Sequence, residues 1–185
     1  MPRARAAKKT ETPKLWLRLA EEWGLLAQWD DCLTYGQSVA QWPAFPDSAG
    51  ALQYLKRYYK LVVLSNVDNV SFAASAAKLQ VEFDAAYVAT DIGTYKPNPQ
   101  NFDYMAENLS RMGIEKGDIL HTAESMFHDH GPANTAGLAN CWIYRRFDQE
   151  GFGATMNPGD MPTYDFRFNS MADLVKAHQA EMAAE

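Results

Sequence analysis

Six side chains in this sequence have types and spacing that could do chemistry together. The run Leu61-Val62-Val63-Leu64 delivers a hydroxyl and an amide, Ser65 and Asn66. Further on, Lys96 sits in Gly93-Thr94-Tyr95-Lys96-Pro97-Asn98-Pro99, where an aromatic and a proline leave it little freedom. An ammonium held this way offsets negative charge on a bound carboxylate or phosphate, or on a catalytic acid. The third place is His121-Thr122-Ala123-Glu124-Ser125-Met126-Phe127-His128-Asp129-His130, where Glu124 and Ser125 end an apolar stretch and Asp129 opens a helix. Two acids flanking one turn can share a cation or orient a lysine. Taken singly, each group also has a plainer reading: Ser65, Asn66 and Asp129 as helix caps, Lys96 as a solvated loop side chain. His128 and His130 are two residues apart, whereas a chelating pair on a helix needs three or four. The histidines are therefore expected as supporting or surface groups.

These groups need a scaffold that brings them to one place. Four apolar residues in a row, two of them β-branched, describe a strand buried on both faces of a parallel sheet. Such a strand hands the next residues to the carboxyl edge of the sheet, where open α/β folds bind ligands. From there the pattern alternates: a strand over 60–66, a helix over about 70–79, a strand over 85–89, and a Gly/Pro-rich loop over 90–99. A helix over 100–112 stops at Gly113, a strand follows over 118–123, then a helix from Asp129 to near Gly137 and a strand over 140–144. Residues 164–168 are expected as an edge strand, with Ser170 capping a last helix. This alternation implies right-handed crossovers and an α/β fold with a doubly wound parallel sheet.

Ahead of the sheet, Leu15, Trp16, Leu19, Ala20 and Trp23 recur at helical spacing until Gly24. A second short helix over 30–40 would turn Leu33, Gly36 and Val39 to one side. Gln41-Trp42-Pro43-Ala44-Phe45-Pro46-Asp47 cannot be helical, because each proline disfavours helical geometry in the residue before it. Asp47 or Ser48 would cap the helix that follows. The expected division is a disordered basic tail over 1–13, a helical appendage over 14–41 and the sheet domain over 42–185.

With 185 residues, 47% of them hydrophobic, the chain can bury the core of one large domain. Its net charge of −6 argues against a nucleic-acid surface. No apolar run approaches the roughly 20 residues of a membrane helix, and the basic start lacks the apolar core of a secretory signal. Cys32 and Cys141 show neither metal nor redox spacing, so reduced thiols and a cytoplasmic location are expected. A nucleotide-binding module would place a glycine-rich loop after its first strand, and Ser65-Asn66-Val67-Asp68 supplies no glycine.

Taken in order, a hydroxyl after a buried strand, a Lys-Pro pair and an acidic strand-to-helix turn resemble motifs two, three and four of the haloacid dehalogenase (HAD) superfamily. The wording resembles its type II 2-haloacid dehalogenase branch: Leu64-Ser65-Asn66, Tyr95-Lys96-Pro97-Asn98-Pro99, and Ser125 four residues before Asp129. The resemblance runs from about Trp42 to the C-terminus and implies a HAD-like Rossmannoid core with a partial helical cap at its N-terminus. It also implies a hydrolase that opens a carbon–halide or phosphoester bond through an aspartyl ester, acting on a small anionic substrate. In that scheme Ser65 would hydrogen-bond the substrate or nucleophile, with Asn66 shaping the anion pocket. Lys96 would keep the nucleophilic carboxylate ionised, Asp129 would fix Lys96, and Ser125 would line the pocket. A nearby ammonium does lower a carboxyl pKa, as covalent catalysis by a carboxylate requires. The type II resemblance implies no cofactor. Glu124 stands where magnesium-dependent phosphatases of the superfamily carry Asp, so Glu124 and Asp129 are also candidate Mg²⁺ ligands.

Two side chains depart from the family pattern: Met126 stands where many dehalogenases have Asn, and Phe102 where they have Tyr. A larger departure is the family's nucleophile motif, Asp-x-Asp/Tyr-Gly-Thr after an N-terminal strand, for which no match is found. Asp30-Asp31-Cys32-Leu33-Thr34-Tyr35-Gly36 has related letters but no preceding apolar strand, and it fits the appendage. The expectation is an N-terminally truncated form with two strand edges left unpaired, a liability for aggregation. The alternative is an inactive anion-binding or scaffold remnant, with a homodimer as the form that would cover exposed surface.

Overall fold

The computed structural model describes residues 16, 17, 20–153 and 155–184. The basic tail over 1–13, with Leu15 and Leu19, lies outside the described residues. Residues 16, 17 and 20–22 are helical, and Gly24, at φ 66°, ends that turn. Helix α1, Trp29–Gln37, runs into a 3₁₀ turn, Ser38–Gln41. Asp31 accepts from the Gln28 backbone N–H at 2.9 Å and so caps α1, which puts the scrambled Asp30-Asp31 stretch on a helix, as expected. Cys32 and Val39 are buried, but Leu33 is 39% exposed rather than facing inward.

After the proline-bounded connector come α2 (Ser48–Leu55), β1 (Val62–Ser65), α3 (Asn69–Leu79) and β2 (Ala85–Val88). Next are α4 (Gln100–Ser110), β3 (Leu120–Ala123), a π-type turn (Met126–His130) and α5 (Gly131–Ala136). The chain closes with β4 (Ala139–Ile143), β5 (Phe166–Phe168) and α6 (Met171–Met182). The local chemistry accounts for the helix starts. Asp68 caps α3 by accepting from the Ser71 N–H, and Ser170 caps α6 by accepting from the Asp173 N–H.

Every strand pair is parallel, as the alternation requires, and β5 takes the edge next to β4. The strands form two sheets, β1-β2 and β3-β4-β5, with no ladder joining β1 to β3 among the described residues. Helix α4 spans this seam on one side. Its Tyr104 ring meets Tyr87 of β2 at 5.7 Å, and its Phe102 ring meets His121 of β3 at 5.2 Å. Phe102, Met105 and Leu109 of α4 form the buried core with Ala133 and Leu138, and Val62 and Leu64 of β1 pack against it. Elsewhere α2 packs on α3 and α6. The alternation of helix and strand thus builds the expected layers around a divided sheet.

Asp47 precedes α2 without capping it by side chain. Its carboxylate instead takes a two-pronged bond from Arg145 at 2.8 and 3.0 Å, and one from the Ala172 N–H at 3.1 Å. The connector is thereby tied to the end of β4 and the start of α6. Burial pushes the Asp47 carboxyl up, but the Arg145 guanidinium and the Ala172 N–H outweigh it and hold the pKa below the usual value.

Candidate active site at the carboxyl edge

Lys96 is the centre of the site. Its Nζ donates to Asp129 Oδ1 at 2.5 Å and to the Leu64 carbonyl at 2.9 Å. Both partners of the ion pair are nearly buried, with side chains 9% and 10% exposed. Lys96 is placed from behind by Asn66, whose Oδ1 accepts from the Lys96 backbone N–H at 2.7 Å while its Nδ2 donates to the Lys96 carbonyl at 3.0 Å. Both ends of the Asn66 amide are thus used in positioning the lysine loop. A strand end and a loop thirty residues apart are fixed together by the side chain of one and the backbone of the other.

Asp129 also meets His121 Nε2 at 3.2 Å. Burial pushes the Asp129 carboxyl up, but the Lys96 charge and the His121 contact outweigh it and hold the group well below the ordinary carboxylate range. Asp129 is therefore an anion fixed opposite an ammonium. The chain of contacts runs from Leu64 of β1 through Lys96 and Asp129 to His121 of β3, across the seam between the sheets.

Ser125 ends the turn after β3. Its Oγ accepts from the His128 N–H at 3.0 Å and lies 3.1 Å from His128 Nδ1, so this hydroxyl caps the π-type turn that carries Asp129. Burial lowers the His128 pKa, which favours the neutral ring. Glu124, beside it, is half-buried. Burial and then the Asp129 charge raise its pKa, against the pull of Arg146. Its side chain borders a cavity of about 470 Å³ shared with Phe45, Thr122, Arg145, Arg146 and Phe152. Ser65 closes β1 one residue beyond the carbonyl that holds Lys96, and it is half-buried.

The structure therefore brings Lys96, Asp129 and Asn66 into direct contact, with Ser65 next to them in sequence and Ser125 supporting the turn. The two family departures have a packing explanation. Phe102 and Met126 are each about 1% exposed, so these positions hold apolar core side chains. Two of the histidines take supporting places inside the fold. His121 and His130 are buried, and His121 touches Asp129 directly. His130 is fully enclosed between Asn140 Oδ1 and the Ala123 carbonyl. A signal for this lies in the strand period, since His121 and Ala123 share one face of β3. As a metal site, Glu124 and Asp129 offer two acids, and Asp129 Oδ1 already carries the ammonium of Lys96. Mg²⁺ prefers near-octahedral oxygen coordination, and among the described residues no group of three or more His, Cys, Asp or Glu is placed to hold a metal ion. Two acids are thus what this edge offers a cation, with Asp129 Oδ1 already engaged.

No family model matches the chain. It is 27% identical over 139 residues to (S)-2-haloacid dehalogenase 4A of Burkholderia cepacia, a match that covers 71% of this chain and 53% of that protein. The chain thus spans about half the length of the curated relative it matches. Among solved structures, L-2-haloacid dehalogenase from Xanthobacter autotrophicus aligns with a TM-score of 0.72 at 20% identity, over 90% of this chain and 74% of that one. A HAD phosphatase from Thermococcus onnurineus aligns with a TM-score of 0.59 at 21% identity, over 88% and 69%. The fold is that of the haloacid dehalogenase superfamily. Within it, the chain resembles the type II 2-haloacid dehalogenase branch, in agreement with its motifs.

Proposed function

We propose that this carboxyl edge is the anion-binding and charge-balancing part of a hydrolase site, one that opens a carbon–halide or phosphoester bond through an aspartyl ester. The observation that carries the reading is the nearly buried Lys96 ammonium, fixed between Leu64 O and Asp129 at the end of the strand that Ser65 closes. An ammonium held at this edge stabilises negative charge that develops on a nucleophile or leaving group. In this reading Ser65 contacts the substrate, Lys96 balances its charge, and Asn66, Ser125 and Asp129 position Lys96. The substrate is a small anion, a 2-haloacid or a phosphate ester. In this reading the reaction uses no metal ion, as the resemblance to the type II branch implies. The buried free thiols Cys32 and Cys141 support a reducing, cytoplasmic setting.

A second reading is favoured by the same pair. Asp129 is engaged by Lys96 and His121, and among the described residues no second aspartate is bonded to Lys96. Without such an aspartate the site binds anions and does not turn them over. Chloride release from 2-chloropropionate and phosphate release from p-nitrophenyl phosphate, each with and without Mg²⁺, separate the two. The hydrolase reading expects release that Ser65→Ala reduces; the binding reading expects 2-chloropropionate or phosphate to perturb Ser65 and Lys96 in NMR spectra without turnover. Absence of both turnover and binding would refute the site itself.

A further inference from the structure

A second set of charges lines the cavity of about 470 Å³ that Glu124 borders. Side chains alternate along a strand, so Thr122 stands on the opposite face of β3 from His121, which touches Asp129. The register Thr122↔Cys141 puts Ile143 on that same face of β4, and the cavity lies against Thr122 and Ile143. It therefore occupies the face of the sheet away from the His121–Asp129 contact.

Two guanidiniums reach this cavity, and they differ. Arg145 is fully engaged: its Nη1 donates to both Asp47 oxygens, its Nη2 meets Ser48 Oγ at 3.3 Å, and it lies 4.2 Å from the centre of the Phe45 ring. Arg146 keeps unused donors. Among the described residues its one side-chain acceptor is the Glu150 carbonyl, which takes Nη2 at 3.0 Å, and its buried Nε has none. Gly153, at φ 61°, closes over this guanidinium; a Cβ there would lie 3.1 Å from Nε, so a residue without a side chain is what lets the loop backbone approach. A buried donor with no acceptor is costly and uncommon. Across from it stands Glu124, whose pKa burial raises and the Arg146 charge pulls back, yet no ion pair joins the two. The cavity thus holds a cation and an acid apart, with Phe45, Phe152 and Ile143 as apolar wall.

We propose that this cavity binds an α-amino acid with an apolar side chain, its carboxylate on Arg146 and its ammonium on Glu124. A guanidinium takes a carboxylate through charge-assisted hydrogen bonds, and the aromatic walls take the side chain. Small-molecule sites are of this size and kind, largely apolar with a few polar groups that fix orientation. The inference uses none of the aspartyl-ester chemistry and is independent of the hydrolase reading.

Titration of the full chain with L-phenylalanine, followed by NMR, tests it, with 3-phenylpropionate and phenethylamine as probes that each lack one charge. The expected result is saturable binding that shifts the Arg146 Nε–H and the Thr122 and Glu124 amides, with each analogue about tenfold weaker or worse. That comparison leaves the protein unaltered. Arg146→Gln should weaken phenylalanine by a similar factor. Equal binding of 3-phenylpropionate would reduce the site to an anion pocket and overturn the inference. Shifts at Ser65 and Lys96 in place of Arg146 would put the ligand at the other site and overturn it too, as would no shift at Arg146 with millimolar phenylalanine.

Discussion

Replacing Asp129 by asparagine removes the charge opposite Lys96 while keeping the size of the side chain. The ammonium is left nearly buried, with the Leu64 carbonyl at 2.9 Å as its remaining strong acceptor. Breaking a buried pair by deleting one charge costs about 3–5 kcal/mol. The retained carbonyl and the new amide oxygen favour the lower end, about 3 kcal/mol. For a domain of this size that corresponds to a fall in Tm of roughly 6–12 °C. Urea unfolding of the wild type, Asp129→Asn, Lys96→Met and the double variant measures it. The double variant should recover much of the loss, because it leaves no unpaired charge. The pH dependence has a definite sign. Asp129 has a folded pKa below its unfolded value of about 4, so the stabilisation is complete above that value and disappears as pH falls through the folded pKa. A loss under about 1 kcal/mol at neutral pH, or additive effects of the two single substitutions, would refute the coupling.

Three further outcomes are expected. Asn66→Ala removes both bonds to the Lys96 peptide and should cost about 1–3 kcal/mol, with Lys96 amide exchange accelerating more than that of β2. Glu124 has a raised folded pKa, so its ionisation opposes folding; Glu124→Gln should match the wild type in urea below the unfolded carboxyl pKa of about 4, pull ahead as pH rises from there, and hold its full advantage above the folded pKa. Burial pushes the Cys141 thiol up to about 11, so a disulfide reagent at neutral pH should leave Cys141 unlabelled until the chain is unfolded.

The fold was legible because hydrophobic period and strand-helix alternation are local signals. Leu61-Val62-Val63-Leu64 reads as a buried strand whatever surrounds it, and Asp68 and Ser170 cap helices through bonds within three residues. The pairing of Lys96 with Asp129 was legible because the motif order puts each residue type in a loop or turn beyond a strand. What lay hidden were the partners chosen by tertiary packing. Asp47 looks like a helix cap in sequence, but Arg145, almost a hundred residues away, competes for its carboxylate through Nη1 and wins because a bond from a charged guanidinium is stronger than one from a neutral backbone N–H. Asn66 looks like a pocket-lining amide, but the Lys96 peptide offers it a donor and an acceptor at once.

The division of the sheet gives the Lys96–Asp129 pair a second consequence. In a continuous sheet, backbone ladders hold neighbouring strands in register, and a polar contact at the edge adds little to that. Here no ladder joins β1 to β3 among the described residues, so the contacts from Leu64 through Lys96 and Asp129 to His121 take a larger share in aligning the two sheets. Helix α4 supplies the apolar part, with Tyr104 against β2 and Phe102 against β3. Apolar contact is non-directional and permits sliding, whereas the ion pair fixes a direction. The same residues that balance charge at the site therefore also set how the two halves of the core meet, and a change at Asp129 should be felt in β1 and β3 before it is felt in β2 or β5.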